Sequence, residues 1–423
     1  MEESIGRKVL LRLVLPCGLF TLIGSIDRTN VGFAALQMNA DLGLSATQYG
    51  FGAGVLFVGY VLAKYPSVLL YEAIGFRRWL AIITFAWGLA ACSLALIQTG
   101  TQLYLLRVLI GFAEGGLSSG LMLYLMMWAP DKWRATILAL PIMSINIAQV
   151  LGAPVSGMLI DMANPLGIAG WRFMFLVEAL PALLLAMFAW FYYPDNPKQA
   201  RWLNAAEADW LQANVRAAEK PKLPQDRTGR WDALRSRQGW ICAAIWFCIL
   251  ASNYGIMFWL PTIVKGMSGL SATQTGFIVA LPHAASAIGL LLNARHSDKT
   301  GERFMHIAVP ALVGGFGLLA AFLLGPGLPG LAMLILGAGC TGCTVAAFWA
   351  IPTSLLQPRA LAMGIVMVNM LGSLAGAIIP PAMGWLKQTS GSFLPPTLLL
   401  TTVSVICALL CLLGRRELRR SSI

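Results

Sequence analysis

The sequence predicts an all-α membrane protein, with twelve transmembrane helices in two pseudo-symmetric six-helix bundles. Three observations lead there. Of 423 residues, 58% are hydrophobic and only 11% are charged, too few polar groups to cover a soluble domain of this length. Apolar runs of roughly 20 residues, the length that crosses a hydrocarbon core, recur twelve times along the chain. A single long polar segment, 194–239, divides those runs six and six.

The first span lies near 10–36, after the basic pair Arg7-Lys8. The second, near 48–72, carries Gly50, Gly52, Gly54 and Gly59, and the fourth, near 102–128, carries Gly111, Gly115 and Gly116. Small residues at such spacing let helices approach closely. Between them the third span covers 79–98, bounded by Arg77-Arg78 on one side and Gly100 on the other. The fifth covers 135–160 and the sixth 172–193, where Tyr193-Pro194-Asp195-Asn196-Pro197 makes a turn. Six more follow near 240–264, 273–294, 305–324, 328–352, 359–386 and 395–414. The organisation is therefore a six-helix bundle over 1–193, a cytoplasmic central loop over 194–239 and a second bundle over 240–423. Inside the loop, Asn204 precedes Glu207 by three residues as in a capping box, and Trp210, Leu211 and Val215 make one apolar stripe. That pattern predicts an amphipathic helix rather than a separate catalytic domain, for which the loop is too short.

The formal net charge of +12 is a topology signal before it is anything else. Arg7, Lys8, Arg77, Arg78, Lys132, Arg134, Arg295, Lys299 and Arg303 all fall on one set of loops, whereas the opposite set holds only Arg172, Lys265 and Lys387. The positive-inside rule then places both termini and the central loop in the cytoplasm, with the lipid bilayer, not nucleic acid, as the partner. The first apolar run is too long for a cleavable signal. The absence of an Asn-x-Ser/Thr sequon favours a bacterial inner membrane. Cys340 and Cys343 sit in a run of small apolar residues and read as packing groups rather than metal ligands. With three His, no phosphate-binding loop and no paired zinc histidines, the chain is expected to be no enzyme and to need no cofactor or metal.

Four ionisable residues interrupt the apolar runs: Asp27 and Arg28 in the first span, Arg107 and Glu114 in the fourth. A charge inside the bilayer is costly and marks function. Two acids and two guanidiniums suit a site that binds an anion and exchanges protons. Arg107, Gly111, Glu114 and Ser118 recur at i, i+4, i+7 and i+11, a narrow polar stripe on one helix face. Protonating both acids frees the arginines, each able to hold a carboxylate by two parallel hydrogen bonds. Tyr60 of the second span lies at a depth similar to Glu114. Glu178 stands beside Arg172 near the outer end of the sixth span and reads as an interfacial pair.

An internal match strengthens the two-bundle reading. Glu72-x-x-Gly75-x-Arg77 recurs 226 residues later as Asp298-x-x-Gly301-x-Arg303, and the same offset lays Asn253 and Tyr254 over Asp27 and Arg28. Such halves place a binding site between them near the midplane. Charge chemistry then belongs to the first half, while Asn253, Tyr254, His283 and Asn369 supply neutral or weakly basic contacts from the second, with Gln149 added from the fifth span.

These turns resemble the loop motif of the major facilitator superfamily, the second copy, Ser297 to Arg303, being the better match. The first copy carries Glu72 where the family usually has Asp. Ser25-Ile-Asp27-Arg28-Thr-Asn-Val-Gly-Phe33 is similar to the first-helix signature of the anion:cation symporter branch. So are Arg107-Val-Leu-Ile-Gly-Phe-Ala-Glu114-Gly, Phe258-Trp-Leu-Pro261, Phe348-Trp-Ala-Ile-Pro352 and Asn369-Met-Leu-Gly372. The resemblance implies a secondary active transporter. It would carry a small organic anion into the cell by alternating access, coupled to protons or sodium, with protons the expected ion. The anion would be a sugar acid, a hydroxy-dicarboxylate or an aromatic carboxylate. Asp27 and Glu114 would be the proton carriers, and Arg28 and Arg107 would hold or gate the substrate. His283 departs from the family, where many relatives have Tyr. Gly152-Ala-Pro154-Val-Ser-Gly157 resembles a fifth-helix motif linked to antiporters and also found in this branch, so an exporter or exchanger of organic anions or drugs is the alternative.

Overall fold

The computed structural model describes residues 2–218, 235–356 and 358–421. Among these, twelve helices are long and apolar enough to cross a membrane: Glu2–Asp41, Ala46–Ile74, Phe76–Leu96, Gly100–Met126, Lys132–Asp161, Gly170–Tyr192, Arg237–Ser268, Ala272–Thr300, Met305–Leu324, Leu328–Leu355, Met363–Ser390 and Leu394–Leu418. They are numbered first to twelfth below, and their bounds follow the apolar runs closely. The first and eighth helices extend furthest beyond their runs, as the polar flanks Glu2–Val9 and Arg295–Thr300 continue the helix. Capping boxes start the fourth helix, Thr99 with Gln102, and the eighth, Ser271 with Gln274; each satisfies backbone donors that the first turn leaves open. Large apolar side chains such as Leu62, Leu184, Phe191, Ile288, Leu323 and Leu328 are more than half exposed, which suits lipid as the surrounding solvent.

Two helices are interrupted at matching places. The fourth breaks at Gly115-Gly116, between Glu114 and Leu117, and the tenth breaks between Gly342 and Val345, at nearly the offset that relates the repeated turns. The halves thus share an irregularity that sequence matching alone did not reveal.

Contacts divide the chain into two compact units. One comprises Met1–Asn30, Val58–Gly152 and Ala163–Leu223; the other comprises Val31–Phe57, Ala153–Met162 and Pro224–Ile423. In the first unit, Phe76 stacks on Tyr124 at 3.5 Å between ring centroids, and the Tyr124 hydroxyl donates to Pro194 O at 2.8 Å. The helix Ala205–Ala218 bears out the capping box: Asn204 Oδ1 accepts from Glu207 N at 2.8 Å, and Glu207 Oε2 accepts from Asn204 N at 3.0 Å. Lys8 Nζ donates to Glu207 at 2.7 Å, and this hydrogen bond, ahead of the Asn204 N–H, holds the Glu207 carboxyl below its usual range. Leu211, on the inner face of this helix, is fully buried. The following stretch of the central loop, 219–234, lies outside the described residues.

The first repeated turn is capped from a distance. Gly75 has φ +81°, and Asp195 Oδ1 accepts from Arg77 N at 3.0 Å. The acid that caps the third helix is Asp195. A Cβ on residue 75 would lie 3.0 Å from Asp195 Oδ1 in a backbone region that L-residues avoid. Gly75→Ala is expected to cost about 1–3 kcal/mol, read as a lowered unfolding temperature of the detergent-solubilised protein. In the second copy Gly301 has φ +68°, and Arg303 Nη1 bonds Asp298 Oδ1 at 2.6 Å.

In the second unit, helices meet backbone to backbone. A Cβ added at Gly50 would strike Pro380 O, at Gly384 Ala46 O, at Gly157 Ala272 O and at Gly276 Ala153 O. Beside these crossings the Tyr49 hydroxyl donates to Phe258 O at 2.7 Å, and Asp161 Oδ2 accepts from Thr273 N at 2.7 Å. Gly337 abuts the Gly317 backbone, and Cys343 Sγ donates to Gly339 O at 3.3 Å. The CxxC stretch is a packing surface, as its composition suggested.

Candidate functional site

The charged residues of the first unit converge because glycines draw their helices together. Gly59 of the second helix faces Val108 O of the fourth, and Gly115 of the fourth faces Tyr60 O of the second; neither position has room for a Cβ. That packing fixes Glu114 at the last helical position before the Gly115-Gly116 break. Its side chain is fully buried and accepts from Arg28 Nη2 at 2.9 Å and Nε at 3.3 Å. Glu114 Oε1 is buried with no hydrogen bond. Arg28 keeps 23% of its side chain exposed and lies 5.4 Å from the Tyr60 ring centroid, which Lys64 approaches to the same distance. A guanidinium over an aromatic face gains further attraction.

Arg107 is 0% exposed and lies within electrostatic reach of both Glu114 and Asp27. Asp27 is 2% exposed, and both its carboxyl oxygens are buried with no hydrogen bond. The Trp87 indole N–H approaches Asp27 without closing one. One helical turn on, Asn30 Nδ2 donates to Glu178 Oε2 at 2.9 Å in a fully buried bond.

Glu178 corrects an expectation. The Arg172 guanidinium donates to Ala95 O at 2.6 Å and lies 4.2 Å over the Trp171 ring, whereas Glu178 Oε2 accepts from Asn30. Six residues along a helix turn the side chain to a different face and about 9 Å deeper. Glu178, 6% exposed, therefore joins Asp27 and Asn30 instead. Asn30 could have been found from its i+3 spacing to Asp27.

Of the remaining site residues, Gln149 is half-buried on the fifth helix and stands outside these contacts. In the second unit, Asn253 Nδ2 donates to Ile249 O at 2.8 Å and lies 3.5 Å from Thr341 O. Asn369 Nδ2 donates to Ile365 O at 3.1 Å. Each amide spends a donor on its own helix and keeps Oδ1 as an acceptor. Tyr254 packs on Phe57 with ring centroids 4.3 Å apart, and His283 is half-buried on the eighth helix after Pro282. Trp246 stacks on Phe348 at 4.6 Å, with Trp349 at 4.9 Å. Among the described residues no group of three His, Cys, Asp or Glu is arranged to hold a metal ion.

Residues 17–380 match the Major Facilitator Superfamily. A protein of Agrobacterium vitis named "Putative tartrate transporter" is 37% identical over 425 residues, spanning 99% of this chain and 92% of its own. The "Quinolone resistance transporter" of Acinetobacter baumannii is 32% identical over 420 residues, 99% of this chain and 96% of its own. The solved structure of a bacterial homolog to the human lysosomal transporter Spinster, inward-facing and occupied, covers 97% of both chains with a TM-score of 0.80 at 18% identity. That likeness is one of fold.

Proposed function

Given that the chain belongs to the Major Facilitator Superfamily and is a transporter rather than an enzyme, we propose that it imports a hydroxy-dicarboxylate such as tartrate together with protons. The Arg28–Glu114 bond carries this reading. Arg28, the more exposed of the two site arginines, is tied to an acid, so anion and proton compete for opposite sides of one contact. Protonating Glu114 ends the ion pair and frees the guanidinium for a substrate carboxylate, which it can hold by two hydrogen bonds. Asp27 supports the same reading, because a buried carboxylate without donors is costly and a proton removes that cost. Sugar acids and aromatic carboxylates share the required charge and belong to the same test.

In this reading the protein is a monomer in a bacterial inner membrane with both termini cytoplasmic. Transport is by alternating access, with the chain organised as the bundles 1–193 and 240–423. Arg28, Arg107, Tyr60 and Gln149 are the substrate contacts proposed from the first unit, and Asn253, Tyr254, His283 and Asn369 those proposed from the second. In proteoliposomes loaded at neutral pH, external acidification should drive tartrate accumulation up to about tenfold per pH unit for each coupled proton. Failure of every acid in a panel of tartrate, galactonate and phthalate to accumulate would overturn import. The name of the Acinetobacter relative favours one other reading, drug export; quinolone efflux against a proton gradient with no tartrate uptake would establish it.

A further inference from the structure

We propose that Glu178 is a third acid of the proton-coupling site, sharing one proton with Asp27 through the Asn30 amide. The inference rests on the proton-coupled reading above and deepens it.

The geometry comes first. Asn30 and Asp27 share one face of the first helix, and Asn30 Nδ2 donates to Glu178 Oε2 at 2.9 Å. Asn30 Oδ1 is buried with no hydrogen bond, and so are both oxygens of Asp27. These orphans are complementary. A proton on Asp27 creates the O–H donor that Asn30 Oδ1 lacks, while the amide N–H₂ continues to serve an ionised Glu178. Moving the proton to Glu178 asks only that the amide turn over, exchanging donor and acceptor ends. Asn30 thus links the two carboxyls in either state.

Charge counting gives the same answer. The set holds three buried acids, Asp27, Glu114 and Glu178, against the buried Arg107 and the partly exposed Arg28. Fully ionised it carries one uncompensated negative charge, which a buried site tolerates poorly. One proton makes it neutral before any substrate arrives. Each further negative charge on the substrate then asks for one further proton. The groups facing Asp27 are Trp87 from the third helix, Arg107 and Glu114 from the fourth and Glu178 from the sixth. Arg28 borders them on the first helix, with Tyr60 and Lys64 of the second behind it.

Two adjacent carboxyls hold one shared proton more tightly than a single carboxyl does. Removing one should therefore make uptake demand a more acidic exterior. The test uses the full-length protein in proteoliposomes, with tartrate uptake and tartrate counterflow measured between external pH 5 and 8. Glu178→Gln is expected to shift the half-maximal pH of uptake downward by about one unit while leaving counterflow within a few-fold of wild type. Glu178→Asp should restore the wild-type profile, and Asn30→Ala should shift it the same way by less. A Glu178→Gln profile superimposed on wild type would overturn the proposal. Loss of counterflow in a monodisperse Glu178→Gln protein would overturn it too, by making Glu178 a substrate or packing contact. If that variant does not fold, Asn30→Ala decides, and an unshifted profile rejects the link. A wild-type protein with no acid-driven uptake overturns both readings; acid-driven wild-type uptake with an unshifted variant overturns this one alone.

Discussion

Glu114→Gln protein is expected to exchange tartrate across a membrane and yet never concentrate it. The amide fills the same volume against the Gly115-Gly116 break, so helix packing survives. What disappears is the negative charge that engages Arg28 at 2.9 Å. Arg28 is then available to the anion at every pH, and substrate binding no longer waits for a proton. Counterflow should stay within about threefold of wild type, since a neutral isostere leaves the other contacts standing. Accumulation should vanish, a loss of roughly tenfold per pH unit of imposed gradient for each proton coupled. The measurement is paired uptake and counterflow in one proteoliposome preparation. Gradient-driven accumulation at the wild-type level would remove Glu114 from the coupling mechanism.

Arg107→Leu is expected to act on stability and transport together. Arg107 is completely buried between acids, and removing one partner of a buried ion network costs about 3–5 kcal/mol, because the other charges stay behind uncompensated. Protons can substitute for the missing guanidinium, so the deficit should shrink as pH falls from 8 to 5 and the carboxylates are neutralised. Thermal unfolding in detergent across that range reads this directly. A second variant makes the cause explicit. Arg107→Leu combined with Glu114→Gln should be more stable than Arg107→Leu alone, the coupling expected of residues in one network. Additive losses would mean that Arg107 stabilises the protein through packing of its long side chain instead. Tartrate uptake should be abolished in both.

Much of this was legible in the chain because hydrocarbon is an unforgiving solvent. A run that crosses it must be helical and apolar, so the twelve helices could be bounded from composition and glycine turns. The same intolerance exposed Asp27, Arg28, Arg107 and Glu114, whose charges have no business in a span unless they meet. Which of them bond was less readable. An i, i+7 spacing put Arg107 and Glu114 on one face, but the direct bridge joins Glu114 to Arg28 of another helix. That pairing depends on Gly59 and Gly115 bringing the second and fourth helices into backbone contact, a distance no single-helix pattern encodes. Glu178 was misplaced for a related reason. Nearness to Arg172 in sequence suggested a pair, whereas helix rotation sends the two side chains to different depths and partners. Asp195 shows the same limit, capping Arg77 from more than a hundred residues away.

The glycine crossings at Gly50, Gly157, Gly276 and Gly384 tie part of the fold's packing to the membrane around it. Where backbone lies on backbone, dispersion at short range supplies the attraction, and the apolar lipid adds no hydrophobic drive to hold the helices together. Apart from the Asp161–Thr273 bond, those contacts present little for salt or pH to act upon. Bilayer thickness does reach them, because helices tilt to match it, and a small tilt separates surfaces that have no side chains to bridge the gap. The hydrophobic thickness of the host membrane, more than its ionic surroundings, is the variable to which these crossings answer.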